Sequence, residues 1–201
     1  MAISLLENEP IAASPIIVDC DPGVDDAIAL LLAFGHGLPI QGITTVAGNV
    51  PLTLTFNNAR KICALAGRTT PVFAGCPRPL LRPLATAEEI HGATGLQGAH
   101  LPASTEPKQH QHSVDYLIQQ ILSSTAPVTI AALGPLTNIA VALVKCPHIA
   151  ERIKQLVIMG GAMGQGNITP SAEFNIYVDP HAAHVVLTAG ISTTLITLDT
   201  T

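Results

Sequence analysis

The sequence predicts an α/β fold, an open and mostly parallel sheet with helices on both faces. Three observations carry that expectation. Short runs rich in β-branched residues alternate with longer helix-like stretches, the order that βαβ units produce. The runs are apolar at consecutive positions, as in strands that meet water on neither face. Of the 201 residues, 48% are apolar and 11% charged, which supplies a sizeable core and suits one domain over residues 1–201.

The elements follow in order. A first strand is expected at 15–19 and a helix at 25–34, with Pro22 and Gly23 turning the chain between them. Asp25 and Asp26 then fall in the first helical turn, where the positive end of the helix favours them. A second strand at 40–46 leads to a helix at 51–66, with Pro51 at its start, where a missing N–H costs nothing. Strands at 71–74, 128–132, 155–159 and 192–198 and helices at 113–124, 136–144 and 180–189 complete the set. Two stretches fit no regular element: 75–112, rich in Pro, Gly and His, and 160–178, which opens with Gly160 and Gly161. Long connections in a compact α/β domain tend to be functional.

Composition excludes several classes of function. The net charge is -5, from 14 acidic and 9 basic residues, and no run of Lys or Arg is long enough to follow a phosphate backbone. Six aromatic residues and no Trp leave little to stack on bases, so no nucleic-acid partner is expected. Cys20, Cys63, Cys76 and Cys146 form no Cys-x-x-Cys pair and are read as reduced thiols. The first fourteen residues carry Glu7 and Glu9 and no Lys or Arg, unlike a secretory signal. The longest clean apolar run, 27–34, is far short of the roughly 20 residues that span a bilayer. No membrane association and a cytoplasmic location are expected.

The densest chemical signal is the run I-I-V-D-C-D-P-G-V-D-D at 16–26, four carboxylates within eight residues after a buried strand. Strand alternation puts Asp19 and Asp21 on one side and Cys20 on the other. One such Asp would ordinarily cap a helix or close a turn. Four together repel by more than a helix terminus offsets, because two charges about 4 Å apart cost about 1 to 4 kcal/mol at intermediate dielectric. An all-oxygen cluster without Cys or His calls for a hard cation, Ca2+ or Mg2+ rather than Zn2+.

D-C-D-P-G-V-D-D-A at 19–27 resembles the N-terminal signature of the inosine-uridine nucleoside hydrolases, and the likeness continues along nearly the whole chain. T-T-V-A-G-N at 44–49, I-H-G-A-T-G-L at 90–96 and A-L-G-P-L-T-N-I-A at 132–140 are similar to successive family blocks. So are V-I-M-G-G-A-M-G-Q-G-N at 157–167 and A-E-F-N-I-Y-V-D-P at 172–180. The resemblance implies a Rossmann-like sheet and calcium-dependent hydrolysis of the N-glycosidic bond of ribonucleosides, in nucleoside salvage. It implies that Asp21 and Asp26 ligate Ca2+ through their side chains and Leu133 through its backbone carbonyl. Asp25 would be the general base toward the attacking water, with Asp19 supporting the ligands from behind. Asn49 would contact substrate or water. Asn167, Glu173 and Asn175 look like the ribose clamp.

Met159 is placed near the sugar by the resemblance, although core filling explains a strand Met equally well. His91 is placed near the nucleobase, against the plainer reading of a solvated loop histidine, and leans faintly toward pyrimidines. His100, His110, His112, His181 and His184 are read as surface residues. Members of the family run well beyond residue 201, carry a later His-Asp pair that supplies a base-side acid and a further calcium ligand, and form homotetramers. The chain is therefore expected to be C-terminally truncated, either a fragment or a remnant that binds nucleosides without cleaving them. Asp199 is not taken as a replacement ligand. A haloacid dehalogenase-like phosphatase also opens with a strand and D-x-D, the first Asp being its nucleophile. That model leaves Asp25 and Asp26 unexplained and finds Gly23 where Thr or Val is usual.

Overall fold

The computed structural model describes residues 14–201. The stretch on which the absence of a secretory signal rests therefore lies largely outside the described residues. Six strands, β1 (Ile16–Cys20), β2 (Ile40–Thr45), β3 (Val72–Ala74), β4 (Val128–Ala132), β5 (Ile153–Met159) and β6 (Thr193–Ile196), form one sheet in the order β3-β2-β1-β4-β5-β6. Every pairing is parallel. The chain winds outward from β1 in one direction, then returns to β4 on its other side and winds the opposite way. Neighbouring connections leave in opposite directions there, which opens a crevice beyond the carboxyl ends of β1 and β4.

Alternation along β1 feeds two cores. Ile17 packs with Leu117, Ile121, Ile139 and Ile158 under α4 (Ser113–Ser123), α5 (Thr137–Lys145) and α7 (Pro180–Leu187). Val18 and Cys20 point the other way, to Leu30, Phe34 and Ile62 of α1 (Val24–Gly35) and α2 (Leu52–Leu65). β6 departs from the expectation that every strand is covered on both faces. Leu195 and Ile196 are 44% and 37% exposed. On the α1 side, an apolar cavity of about 240 Å³ is bounded by Leu30, Ala33 and Leu38 and by Ala131 and Val157 of the sheet.

Both stretches without an expected element contain short helices, α3 (Glu88–His91) and α6 (Phe174–Val178), and a 3-10 turn at Pro147–Arg152 precedes β5. No described helix is long and apolar enough to cross a membrane. The four cysteines are unpaired.

Candidate active site

β1 leaves the sheet at Cys20, and the acidic turn folds directly over its end. Asp21 and Asp26 are 1% and 4% exposed. Asp21 Oδ2 accepts the backbone N–H of Asn49 at 2.6 Å, and Asp26 Oδ2 accepts that of Asp21 at 3.0 Å. Asn49 Nδ2 also donates to the Asp21 carbonyl, at 3.2 Å. Two glycines make room for Asp21. A Cβ on Gly134 would stand 2.5 Å from Asp21 Oδ1, and one on Gly48 would overlap Asp21 Oδ2. Close approach, not backbone conformation, requires glycine at both positions.

The electrostatics of the turn are unfavourable as it stands. Burial, and then the charge of Asp26, push the Asp21 carboxyl well above the usual range. Burial, and then the charge of Asp25, push Asp26 up to about 8. Among the described residues the ion pairs are His91–Asp25 and Lys145–Asp115, so neither Asp21 nor Asp26 has a Lys or Arg partner. Buried carboxylates in this condition either stay protonated or take a cation.

The donor set fits a hard cation. Among the described residues no three His, Cys, Asp or Glu side chains converge as a metal site. The ligand set that the resemblance implies, Asp21, Asp26 and the Leu133 carbonyl, contains only two such side chains. Leu133, at the end of β4, is tied to the turn by its N–H to the Asp19 carbonyl at 2.8 Å. Its own carbonyl accepts from Asn175 Nδ2 at 2.8 Å and keeps a second lone pair. Oxygen donors of this kind suit Ca2+ or Mg2+.

Asp19 lies beneath the turn, fully buried. Its Oδ1 accepts from Thr44 Oγ1 at 2.5 Å and Asn138 Nδ2 at 2.8 Å, while Oδ2 has no partner. Burial raises this carboxyl to about 6, against the pull of those two hydrogen bonds. Fully buried, this carboxylate is out of reach of a phosphate ester and does not match a phosphatase nucleophile. Asn138 also donates to the Thr45 carbonyl at 3.0 Å and accepts from the Cys76 N–H at 2.8 Å. It thereby joins the ends of β1 and β2 to the segment after β3.

Above the turn opens a cavity of about 440 Å³, bordered by Asp25, Asn49, Leu133, Met159 and residues 86–91. Its far wall carries Asn167, Glu173 and Asn175. The volume is of the size that takes a small organic ligand. Asp25 presents a 68% exposed side chain, with its Oδ1 3.9 Å from His91 Nδ1. His91 is only 13% exposed and accepts the Val24 N–H at 3.4 Å, so it is not a solvated loop histidine. His100, His110, His112, His181 and His184 are exposed, as expected. Met159 borders the cavity and is not simple core filler; its sulfur lies 3.4 Å from Asn175 Nδ2.

The far wall is organised by its own hydrogen bonds. Glu173 caps α6, with Oε1 accepting from Asn175 N at 2.8 Å and Oε2 from Ile176 N at 3.1 Å and Gly161 N at 3.0 Å. Asn175 Nδ2 spans the Leu133 and Met159 carbonyls, the latter at 3.1 Å. Asn167 Oδ1 accepts from Phe174 N at 2.9 Å. What remains available is the Asn167 amide as donor, with Asn175 Oδ1 and the second lone pair of Glu173 Oε1 as acceptors, a set that suits hydroxyl groups.

Asp199 is occupied elsewhere. It accepts from the N–H groups of Met163 at 2.8 Å and Gly164 at 3.2 Å, and these bonds hold its carboxyl below the usual range. Asp179, which sequence reasoning missed, is fully buried and accepts from Leu80 N, Thr137 Oγ1 and Ala182 N at 2.9, 2.8 and 3.0 Å. It fastens the start of the 75–112 segment to α5 and α7. Its sequence signal was a single one, an Asp before a helix-starting Pro.

Comparison with known proteins gives a consistent picture. Residues 16–201 match the family model of the inosine-uridine preferring nucleoside hydrolase. An uncharacterised protein of Schizosaccharomyces pombe is 50% identical over 190 residues, covering 92% of this chain and 61% of that one. The pyrimidine-specific ribonucleoside hydrolase RihB of Escherichia coli is 46% identical over 187 residues, 92% of this chain and 60% of its own. Among solved structures, a plant nucleoside hydrolase, PpNRh1, superposes with a TM-score of 0.88 at 36% identity, covering 93% of this chain and 60% of that one. The purine-preferring ribonucleoside hydrolase of Gardnerella vaginalis gives 0.88 at 33% identity, with 92% and 61% covered. The chain thus spans about 60% of the length of the curated relatives it matches. With its acidic turn, its cavity and its six-stranded parallel sheet, this chain belongs to the inosine-uridine preferring nucleoside hydrolase family.

Proposed function

We propose that the chain carries the ribose-binding and cation-binding part of a calcium-dependent hydrolase that splits the N-glycosidic bond of ribonucleosides, yielding ribose and free base. The observation that carries this reading is the buried, unpaired Asp21 and Asp26 at the base of a cavity whose far wall offers amides to hydroxyl groups. A bound Ca2+, held by Asp21, Asp26 and the Leu133 carbonyl, would supply charge neutralisation and acidify a water in its shell.

The chain's own residues do the rest. Asp25 takes the proton as water oxygen attacks the anomeric carbon, and the electrons of the breaking C–N bond pass to the base, which leaves as an anion and takes up a proton from solvent. Inversion at the anomeric carbon follows if the water approaches opposite the base. Asn167, Glu173 and Asn175 fix the ribose, and Asn49 and Met159 line the path to it. A site built to bond hydroxyls discriminates against sugars that lack them. His91, on the rim, meets the base. The named relatives divide between pyrimidine-specific and purine-preferring enzymes, so the substrate class taken here is the ribonucleoside.

Salvage of bases in the cytoplasm is the role this reading assigns, with homo-oligomeric assembly of the complete enzyme. The apolar hollow beside α1 offers surface for such contacts.

The test is base release from uridine, cytidine and inosine by the purified chain and by Asp25→Ala, with calcium and with a chelator. Calcium-dependent release that disappears in the variant supports the reading. Ribose binding without release would instead identify a nucleoside-binding remnant, and neither binding nor release in the folded chain would refute both.

A further inference from the structure

Two separate parts of the site meet at one buried side chain. Asn58 lies on α2 and is 2% exposed. Its Nδ2 donates to the Pro22 carbonyl at 3.1 Å and to the Thr94 carbonyl at 2.8 Å. Pro22 follows Asp21 in the acidic turn, and Thr94 stands three residues after His91. A primary amide has two N–H donors, and both are used here.

The surrounding packing shows what the bridge holds. The His91 loop closes on itself through the His91 carbonyl to Gln97 N at 2.8 Å and the Gly92 carbonyl to Gly95 N at 2.9 Å. Gly95, at φ +83°, brings this loop against Asn58, since a Cβ there would stand 2.9 Å from Asn58 Nδ2 and 3.2 Å from the Pro22 carbonyl oxygen. On the other side, a Cβ on Gly23 would stand 2.5 Å from His91 Nδ1. The loop therefore rests on the backbone of the acidic turn, and Asn58 is the side chain that bonds to both.

We infer that Asn58 is a positioning residue, whose carboxamide bridges the Pro22 and Thr94 carbonyls and so sets where His91 stands relative to Asp25. Its functional weight rests on the reading of the cavity as a nucleoside site, but the bridge itself does not. Asn58→Leu keeps a side chain of similar size and removes both donors. The two carbonyls then lose their shared partner, and the loop can separate from the turn.

The experiment uses NMR on the whole chain. In wild type, the two side-chain amide protons of Asn58 should exchange with solvent at least tenfold more slowly than those of the neighbouring Asn57. In Asn58→Leu, the imidazole nitrogen signals of His91 should move toward those of the exposed His100 and His110, and amide exchange at residues 92–97 should rise at least tenfold. Thr55→Val is the control, because it removes a hydrogen bond from the same buried helix face, Thr55 Oγ1 to the Val46 carbonyl at 2.9 Å, without touching either loop. It should leave His91 unmoved. Fast exchange of the Asn58 amide in wild type, an unmoved His91 signal in folded Asn58→Leu, or an equal shift in Thr55→Val would each overturn the inference. Should Asn58→Leu fail to fold, the wild-type exchange measurement alone decides. None of these readouts requires turnover, so they stand or fall separately from base release.

Discussion

Replacing Asp26 by Asn should make the metal-free chain more stable and the calcium-loaded chain less so. The Asn keeps the shape of the side chain and an acceptor for the Asp21 N–H, now received at 3.0 Å, while removing a charge that burial opposes. Burial and the neighbouring Asp25 raise the Asp26 carboxyl from 3.8 to about 8. At pH 7, keeping a proton on a group that would release it near 3.8 when unfolded costs about 4 kcal/mol, at 1.36 kcal/mol per pH unit. That figure is a ceiling, because Asp21 and Asp25 share the same field and their own titration absorbs part of the relief. A net gain of about 1 to 3 kcal/mol is expected, which for a chain of this size raises Tm by roughly 2 to 12 °C. Thermal unfolding followed by circular dichroism at pH 7, in chelator and in millimolar calcium, measures both effects. Wild type should gain stability from calcium, and Asp26→Asn should gain little. A lower Tm for the variant in chelator, or equal calcium responses in the two proteins, would falsify the argument that two unpaired buried carboxylates await a cation.

Further expectations follow from the same geometry. Asp19 is raised to about 6 and Asp26 to about 8, so between pH 4 and 8 the folded chain binds more protons than the unfolded one. Metal-free stability should therefore be fullest near pH 4, as far as these two groups decide it, and fall as pH rises through 6 and 8; a flat or rising Tm over that range would contradict it. Leu133→Ala should keep the calcium response, since the proposed ligand is the carbonyl, while costing about 1 to 2 kcal/mol of packing. Loss of the response in a folded variant would remove Leu133 from the shell. Asp179→Ala leaves Leu80 N, Thr137 Oγ1 and Ala182 N without their acceptor and should cost about 2 to 4 kcal/mol in urea unfolding. A change below 0.5 kcal/mol would deny it the role of a fastening point.

The central strands were legible because burial on both faces leaves a continuous apolar run. β4 falls at Val128–Ala132, the expected bounds. β5 starts at Ile153, ahead of the expected 155, since the 3-10 turn ending at Arg152 delivers the chain directly into the sheet. α3 and α6 were invisible for a simpler reason: four or five residues are too few to show a helical period. In the site, the acidic turn announced itself by charge density within one short segment. Asn58, Asn138 and Asp179 did not. Each is a single polar residue whose partners are remote, as with Asn138 and Asp19, which lie 119 positions apart. Local pattern carries no information about such pairs; only the packing of α2 and α5 onto the sheet creates them.

Glu173 borders the cavity and at the same time caps α6. Its carboxylate takes three backbone N–H groups, two from the first turn of α6 and one from Gly161 beyond β5. Only an acceptor on both oxygens can serve all three. In Glu173→Gln the amide nitrogen must face either Asn175 N or the pair Ile176 N and Gly161 N, setting donor against donor. The variant should orient its oxygen toward the pair, surrender the bond to Asn175 N, and lose about 1 to 2 kcal/mol of stability. Asn175 would then lose the backbone restraint that aims its amide at the Leu133 and Met159 carbonyls. Ribose affinity, measured by calorimetry in calcium, should fall at least tenfold although the side chain remains polar and of equal size. Unchanged affinity with the lowered stability would mean that Glu173 acts only as a helix cap and that the hydroxyl contacts belong to Asn167 and Asn175 alone.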